Sequence, residues 1–177
     1  GHATLAAAHT LWNELGQTGE VVTFDSGSGQ LRVTRRGERY ELDFPSRPAA
    51  RIDELPPELL AGLGSSPGHT ALVAEALYYL CVYDSAAAVR ALEPQFGQLA
   101  ALGRAGIIVT APGEDCDFVS RFFAPGLGIP EDPATGSAHC TLIPYWAERL
   151  GKHALHARQL SARGGELWCG LRGDRVG

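Results

Sequence analysis

Apolar positions along this chain form two helical stripes separated by a long run of strand-like alternation. Leu5, Ala8, Leu11, Trp12 and Leu15 recur at helical spacing, and Gly16 is a natural left-handed stop. Residues 21–24 read as a strand, 26–29 as a Ser-Gly-Ser-Gly turn, and 30–36 alternate with a period of two. Gly37-Glu38 turns the chain back into a third strand at 39–44, and Pro45 and Pro48 close this meander. Residues 45–51 read as a connector, and 55–64 predict a short helix with proline near its first position. Residues 70–83 predict one or two strands, 84–92 a capped helix, and 96–102 a further helical turn or two. A buried strand at 106–111 stops at Pro112-Gly113, an alternating strand covers 117–124, and a Gly/Pro loop covers 125–130. The second long helix spans 136–150, and two strands follow. The class is α+β, each long helix flanked by antiparallel strands.

The two long helices look like copies. Gly1-His2-Ala3-Thr4-Leu5 opens one and Gly136-Ser137-Ala138-His139-Cys140 the other. Each carries a tryptophan in its third turn, Trp12 and Trp146, and each ends in Leu-Gly, at 15–16 and 150–151. The segment 26–31 matches 161–167 with one insertion. A duplicated helix-and-strands unit predicts two similar domains, residues 1–48 and 49–177, with two helix N-termini facing one cleft. Such an arrangement suits an anionic small molecule.

Composition narrows the function classes. The 177 residues carry a net charge of -5 and no basic block, so a nucleic-acid partner is not expected. No apolar run approaches the roughly 18 residues of a membrane-spanning helix. The four cysteines lie far apart without metal-type pairing and read as reduced thiols of a cytoplasmic protein, with Cys81 and Cys140 buried and inert. The chain has no Met and starts at Gly-His, so residues upstream of it in the natural protein are expected.

The densest polar segment is Glu131-Asp132-Pro133-Ala134-Thr135-Gly136-Ser137-Ala138-His139-Cys140. Asp132 precedes proline, so its backbone is extended and its carboxylate can project from the loop. Thr135 fits an N-cap, and Gly136 and Ser137 lie in the first turn, where backbone N–H groups lack helical partners. Gly136 lets a ligand approach the backbone closely. A capped helix alone would account for Asp132 and Thr135. The repeat favours a site, because it sets Gly1-His2 opposite and joins an imidazole to Asp132 and Ser137 around one cleft. His9 and His139 read as packed or surface positions, and His69 as a loop residue. His153 and His156 have no third ligand near them, so no metal is expected. Arg35, Arg36, Arg172 and Arg175 read as solvated.

With these residues the chain resembles the PhzF-like phenazine-biosynthesis family. The resemblance is carried in order by Gly-His-Ala-Thr-Leu-Ala-Ala-Ala-His at 1–9, Asp-Phe-Pro at 43–45, Val-Thr-Ala-Pro at 109–112, Asp-Phe-Val-Ser-Arg-Phe-Phe-Ala-Pro at 117–125, and Glu-Asp-Pro-Ala-Thr-Gly-Ser-Ala-His-Cys at 131–140. Tyr145-Trp146 and Arg158-Gln159-Leu160-Ser161-Ala162-Arg163-Gly164-Gly165 complete it. The resemblance implies a diaminopimelate-epimerase-like fold: two pseudo-symmetric domains, each a mostly antiparallel sheet or barrel around a central helix. It implies a cofactor-independent isomerase acting on a small carboxylate-bearing substrate, and a homodimer. The phenazine member isomerises a dihydro-hydroxyanthranilate. His2 and Asp132 would be catalytic, and Gly1, Thr135, Gly136 and Ser137 would bind substrate. The family's principal proton shuttle is a Glu upstream of the Gly-His motif, so residues 1–177 alone are expected to be inactive. Related racemases on this fold place a thiol just before each helix-opening Gly. Thr135 stands there instead, which disfavours two-thiol chemistry. A single-carboxylate epimerase, or a catalytically silent binding or regulatory protein on the same fold, are the alternatives.

Overall fold

The structure, a computed structural model, describes residues 1–26, 29–73 and 76–177. The first helix, α1 (His2–Asn13), is alanine-rich and has Gly1 at its N-cap without a side-chain cap bond. Ala8 and Trp12, one turn apart, are its buried residues. They pack with Val33 and with the half-buried Leu5, Phe24 and Leu42. Trp12 stacks on Tyr40 at 5.3 Å and donates its indole N–H to the Gly19 carbonyl at 2.8 Å. The helix ends two residues before the predicted Leu15. Asn13 explains this, because its amide turns back to the His9 carbonyl at 2.9 Å and the Tyr40 hydroxyl at 3.0 Å.

The meander follows as β1 (Val21–Ser26), β2 (Gly29–Arg36) and β3 (Arg39–Pro45). The predicted turn at 26–29 includes Gly27 and Ser28, which lie outside the described residues. Next come β4 (Ala50–Arg51), α2 (Pro57–Leu63), β5 (His69–Val73), β6 (Tyr78–Val82), α3 (Ala86–Arg90) and α4 (Phe96–Ala100). The chain ends with β7 (Gly106–Pro112), β8 (Phe118–Phe123), α5 (Gly136–Leu150), β9 (Ala154–Gln159), β10 (Gly165–Arg172) and β11 (Arg175–Val176). His69, read from sequence as a loop residue, begins β5 and stacks on Tyr145 at 6.0 Å.

The strands join in the order β1-β2-β3-β11-β10-β9-β8-β7-β6-β5-β4. Pairs are antiparallel except β6·β7, bridged by α3 and α4, and β8·β9, bridged by α5. The fold is thus α+β and mostly antiparallel. The apolar cores separate along the chain: one lies under α1, and the other two draw on residues from 49 onward. Strands β6 to β8 are buried on both faces. Leu80, Ile108, Phe118 and Phe122 face α5, while Cys81, Ile107, Val109, Val119 and Phe123 face the layer of α2, α3 and α4. That double burial removes the polar alternation expected of a half-exposed strand.

Two features tie the N-terminal meander and its connector to the rest of the fold. In β11, Arg175 pairs with Pro45 and Val176 with Phe44 of β3. Arg175 donates to the Asp43 carboxylate at 2.9 Å and the Asp43 carbonyl at 3.0 Å. This corrects its reading as a solvated residue: a seam strand needs its charges matched. Arg36 and Arg172 share Glu41 while staying exposed, as read from the sequence. The second feature is Pro144 inside α5. Proline has no N–H to give the Cys140 carbonyl one turn back. That carbonyl accepts the Arg47 backbone N–H at 2.8 Å, which pins the 45–51 connector to the helix.

Candidate active site

The segment from β8 to α5 is held by a dense set of bonds. Arg121 on β8 donates to both Glu131 oxygens, at 2.7 and 3.0 Å, and to the Val89 and Leu92 carbonyls at 3.2 and 2.8 Å. The pair is largely buried, and its planar, bidentate geometry fixes the loop start. Asp132 then donates its N–H to the Phe122 carbonyl at 3.0 Å.

Gln159 anchors the other end. It is 1% exposed, and its side-chain oxygen accepts the Thr135 N–H at 2.8 Å. Its NH2 group donates to the Asp132 carbonyl at 2.6 Å and the Thr135 hydroxyl oxygen at 3.2 Å. The amide can sit only one way round, since an N–H needs an acceptor and a carbonyl a donor. Ser161 adds a bond to the Pro133 carbonyl at 2.8 Å. Sequence reasoning placed Gln159 and Ser161 only within a motif. A buried amide among alternating apolar residues is the signal that marks Gln159.

Thr135 occupies the N-cap position, as read from sequence, but makes no side-chain cap bond. Its hydroxyl donates instead to one Asp132 carboxylate oxygen. Two consequences follow. The other Asp132 oxygen accepts no bond among the described residues, and the amides of Gly136 and Ser137 keep no side-chain partner at the positive end of a 15-residue helix. The space where a Gly136 side chain would begin is open, with nothing within 4 Å, and the same holds at Gly1.

Ser137 meets a residue that sequence reading treated only as strand. Its hydroxyl lies 3.1 Å from the Tyr78 hydroxyl. Tyr78 stands edge-on to Phe122 at 5.3 Å. Gly106 makes room for both, because a Cβ there would come within 2.6 Å of Phe122 and 2.8 Å of Tyr78. The preceding Leu77 has φ 51, a left-handed backbone unusual for a branched residue.

His139 is more than a packed position. It is 3% exposed, and its Nδ1–H donates to the Thr135 carbonyl at 2.9 Å, so Nε2 carries the lone pair. Nε2 is buried without a partner among the described residues. Burial pushes the imidazole pKa down, against the opposing effect of the Thr135 bond, and the ring is neutral. His139, Gly136 and Leu5 of α1 line a shared cavity of about 810 Å³, whose far wall includes Leu42, Leu167 and Cys169.

The structure therefore brings Asp132, Thr135, Gly136 and Ser137 together. Gly1 lies in the neighbourhood of Cys140, in the first turn and a half of α5. His2 is exposed, and among the described residues no hydrogen bond or ion pair links it to Asp132 or Ser137. Cys140 is buried and its thiol pKa is raised, chiefly by burial; Cys81 is pushed up to about 12 by the same cause. Neither is poised as a thiolate. His156 pairs with Glu166 at 2.7 Å. No helix among the described residues is long and apolar enough to cross a membrane.

The chain is similar in sequence and fold to known proteins. A sequence profile described as phenazine biosynthesis-like protein matches residues 1–174. A Pseudomonas aeruginosa protein named as an uncharacterised isomerase is 53% identical over 176 residues, 99% of this chain and 66% of its own length. A human protein named for a phenazine biosynthesis-like domain is 36% identical over 190 residues, 98% of this chain and 66% of its own. The crystal structure of a phenazine biosynthesis protein of the PhzF family from Enterococcus faecalis superposes with a TM-score of 0.91 at 44% identity, over 99% of this chain and 66% of that one. The chain thus spans 66% of the length of these relatives. It belongs to the phenazine biosynthesis-like, PhzF family.

Proposed function

We propose that the chain supplies most of the active site of a cofactor-independent isomerase, one that moves a proton and a double bond on a small carboxylate-bearing substrate. The observation that carries this reading is the diverted cap. Thr135 spends its hydroxyl on Asp132, which leaves the Gly136 and Ser137 amides beside a carboxylate with an open oxygen. A carboxylate can take up or return a proton at carbon. Unpaired amides at a helix N-terminus stabilise negative charge as it develops on an adjacent oxygen.

In this reading Asp132 and His2 handle or relay the proton, and Gly1, Thr135, Gly136 and Ser137 hold the substrate carboxylate or carbonyl. Tyr78 orients the Ser137 hydroxyl. The principal acid/base is a Glu supplied from outside residues 1–177, so this chain alone would be inactive. The isomerase names carried by relatives support the reaction class. The buried Cys140 and the threonine before Gly136 weigh against a two-thiol racemase.

NMR of the complete gene product in heavy water tests the proposal, with a dihydro-hydroxyanthranilate and a panel of β-hydroxy and amino acids as substrates. Deuterium at one carbon together with a displaced double bond supports it. Deuterium appearing only with inversion of a stereocentre would replace it with an epimerase. No exchange from folded protein would point to a binding role.

A further inference from the structure

The motif 158–165 serves the proposed active site through two inward side chains, Gln159 and Ser161. The same stretch also forms one wall of a groove of about 570 Å³, lined by Arg90, Arg158, Arg163 and Glu166 together with Gln159 and Ser161. Three guanidinium groups thus share a groove with one lining carboxylate, in a chain whose net charge is -5. Arg158 is partly neutralised, at 3.4 Å from Glu166 and 3.5 Å from Asp115. Arg90 and Arg163 are exposed, and neither makes an ion pair among the described residues.

The backbone beneath these cations is fixed. Ser161 accepts the Gly164 N–H at 3.0 Å on its hydroxyl while donating to Pro133, and Gly164 takes φ +73 to close the turn. Arg90 ends α3, the element whose carbonyl at Val89 is held by Arg121. Guanidinium groups on a rigid frame have the chemistry to clamp an oxyanion by charge-assisted bonds. Arg90 and Arg163 have that capacity unspent.

We infer that this groove binds a small molecule bearing an oxyanion, phosphate or carboxylate, with Arg90 and Arg163 as its main ligands. Gly165, in the groove lining, packs against the loop that carries Asp132: a Cβ there would lie 3.2 Å from Ala134. The inference does not depend on the isomerase reading, and its test reads binding rather than turnover.

Amide NMR of the 15N-labelled protein is followed while inorganic phosphate, or separately acetate, is added at constant ionic strength. Saturable shifts are expected at Arg163, Gly164 and Gly165. In Arg163→Glu and in Arg90→Glu the affinity should fall at least about tenfold, the loss of a charge-assisted contact. Both side chains are exposed, so both variants should keep the wild-type circular dichroism. Tighter phosphate binding would identify a phosphorylated ligand and tighter acetate binding a carboxylate, and either supports the inference. Shifts that climb without saturating for both anions, or saturable shifts unchanged in both variants, would overturn it.

Discussion

Replacing Gln159 with Leu removes a buried amide that bonds both Asp132 and Thr135. Three hydrogen bonds are lost, at 2.8, 2.6 and 3.2 Å. Each such bond contributes a net of about 1 kcal/mol, and a buried group left unpaired costs about 1–3 kcal/mol. Thr135 is 7% exposed, so water cannot readily replace the partner of its N–H. Part of the cost returns if the loop shifts to find water, which displaces Asp132. The net destabilisation should be about 2–5 kcal/mol, a large share of the roughly 5–15 kcal/mol that keeps a domain folded. Urea denaturation of the complete protein, wild type against variant, reads this directly. Amide exchange at Thr135 should quicken in the variant. A loss below about 0.5 kcal/mol with unchanged exchange at Thr135 would refute the anchoring role argued for Gln159.

Other consequences can be checked alongside it. Gly106→Ala should cost about 1–3 kcal/mol, because the new methyl overlaps Phe122 and Tyr78, and chymotryptic susceptibility at Tyr78 should rise. Arg121→Met should cost about 3–5 kcal/mol in urea denaturation, since it leaves Glu131 without its buried partner. His139 has a folded pKa below its ordinary 6.5, so the unfolded chain takes up the proton first. Stability from its neutral burial is therefore complete above pH 6.5 and is lost as pH falls below it. The urea midpoint should drop between pH 7 and 5, and the drop should be smaller in His139→Gln. His69, also lowered by burial, contributes to the wild-type slope in the same direction.

Sequence periodicity captured those parts of the fold that depend on local rules. The two long helices, the meander and the strand character of 70–83 follow from apolar spacing, with glycine and proline punctuating the helices and the meander; spacing alone does not show that 70–83 folds as an antiparallel pair. Their ends were less legible. Asn13 stops α1 through a bond to Tyr40, a residue 27 positions away, and no local rule reports such a partner. The solvated reading of Arg175 failed for the same reason, because Asp43 lies 132 positions away in sequence. Within the site, the Asp132–Gly136 core was visible because one short segment carries it. Tyr78 and Gln159 were not, because they reach Ser137 and Thr135 from distant strands. The diverted cap was also out of reach, since the sequence allows Thr135 to bond either the helix or Asp132.

The measurement that bears most directly on the central claim uses Asp132→Asn in the complete protein. Asn keeps the shape and can still accept the Thr135 hydroxyl, but it cannot hold the proton. Solvent deuterium incorporation into a turned-over substrate should fall by about 100-fold or more, the usual contribution of a general acid/base, with the urea midpoint nearly unchanged. Incorporation at the wild-type rate in folded Asp132→Asn protein would contradict the account, and would leave the open amides at Gly136 and Ser137 as a binding site alone.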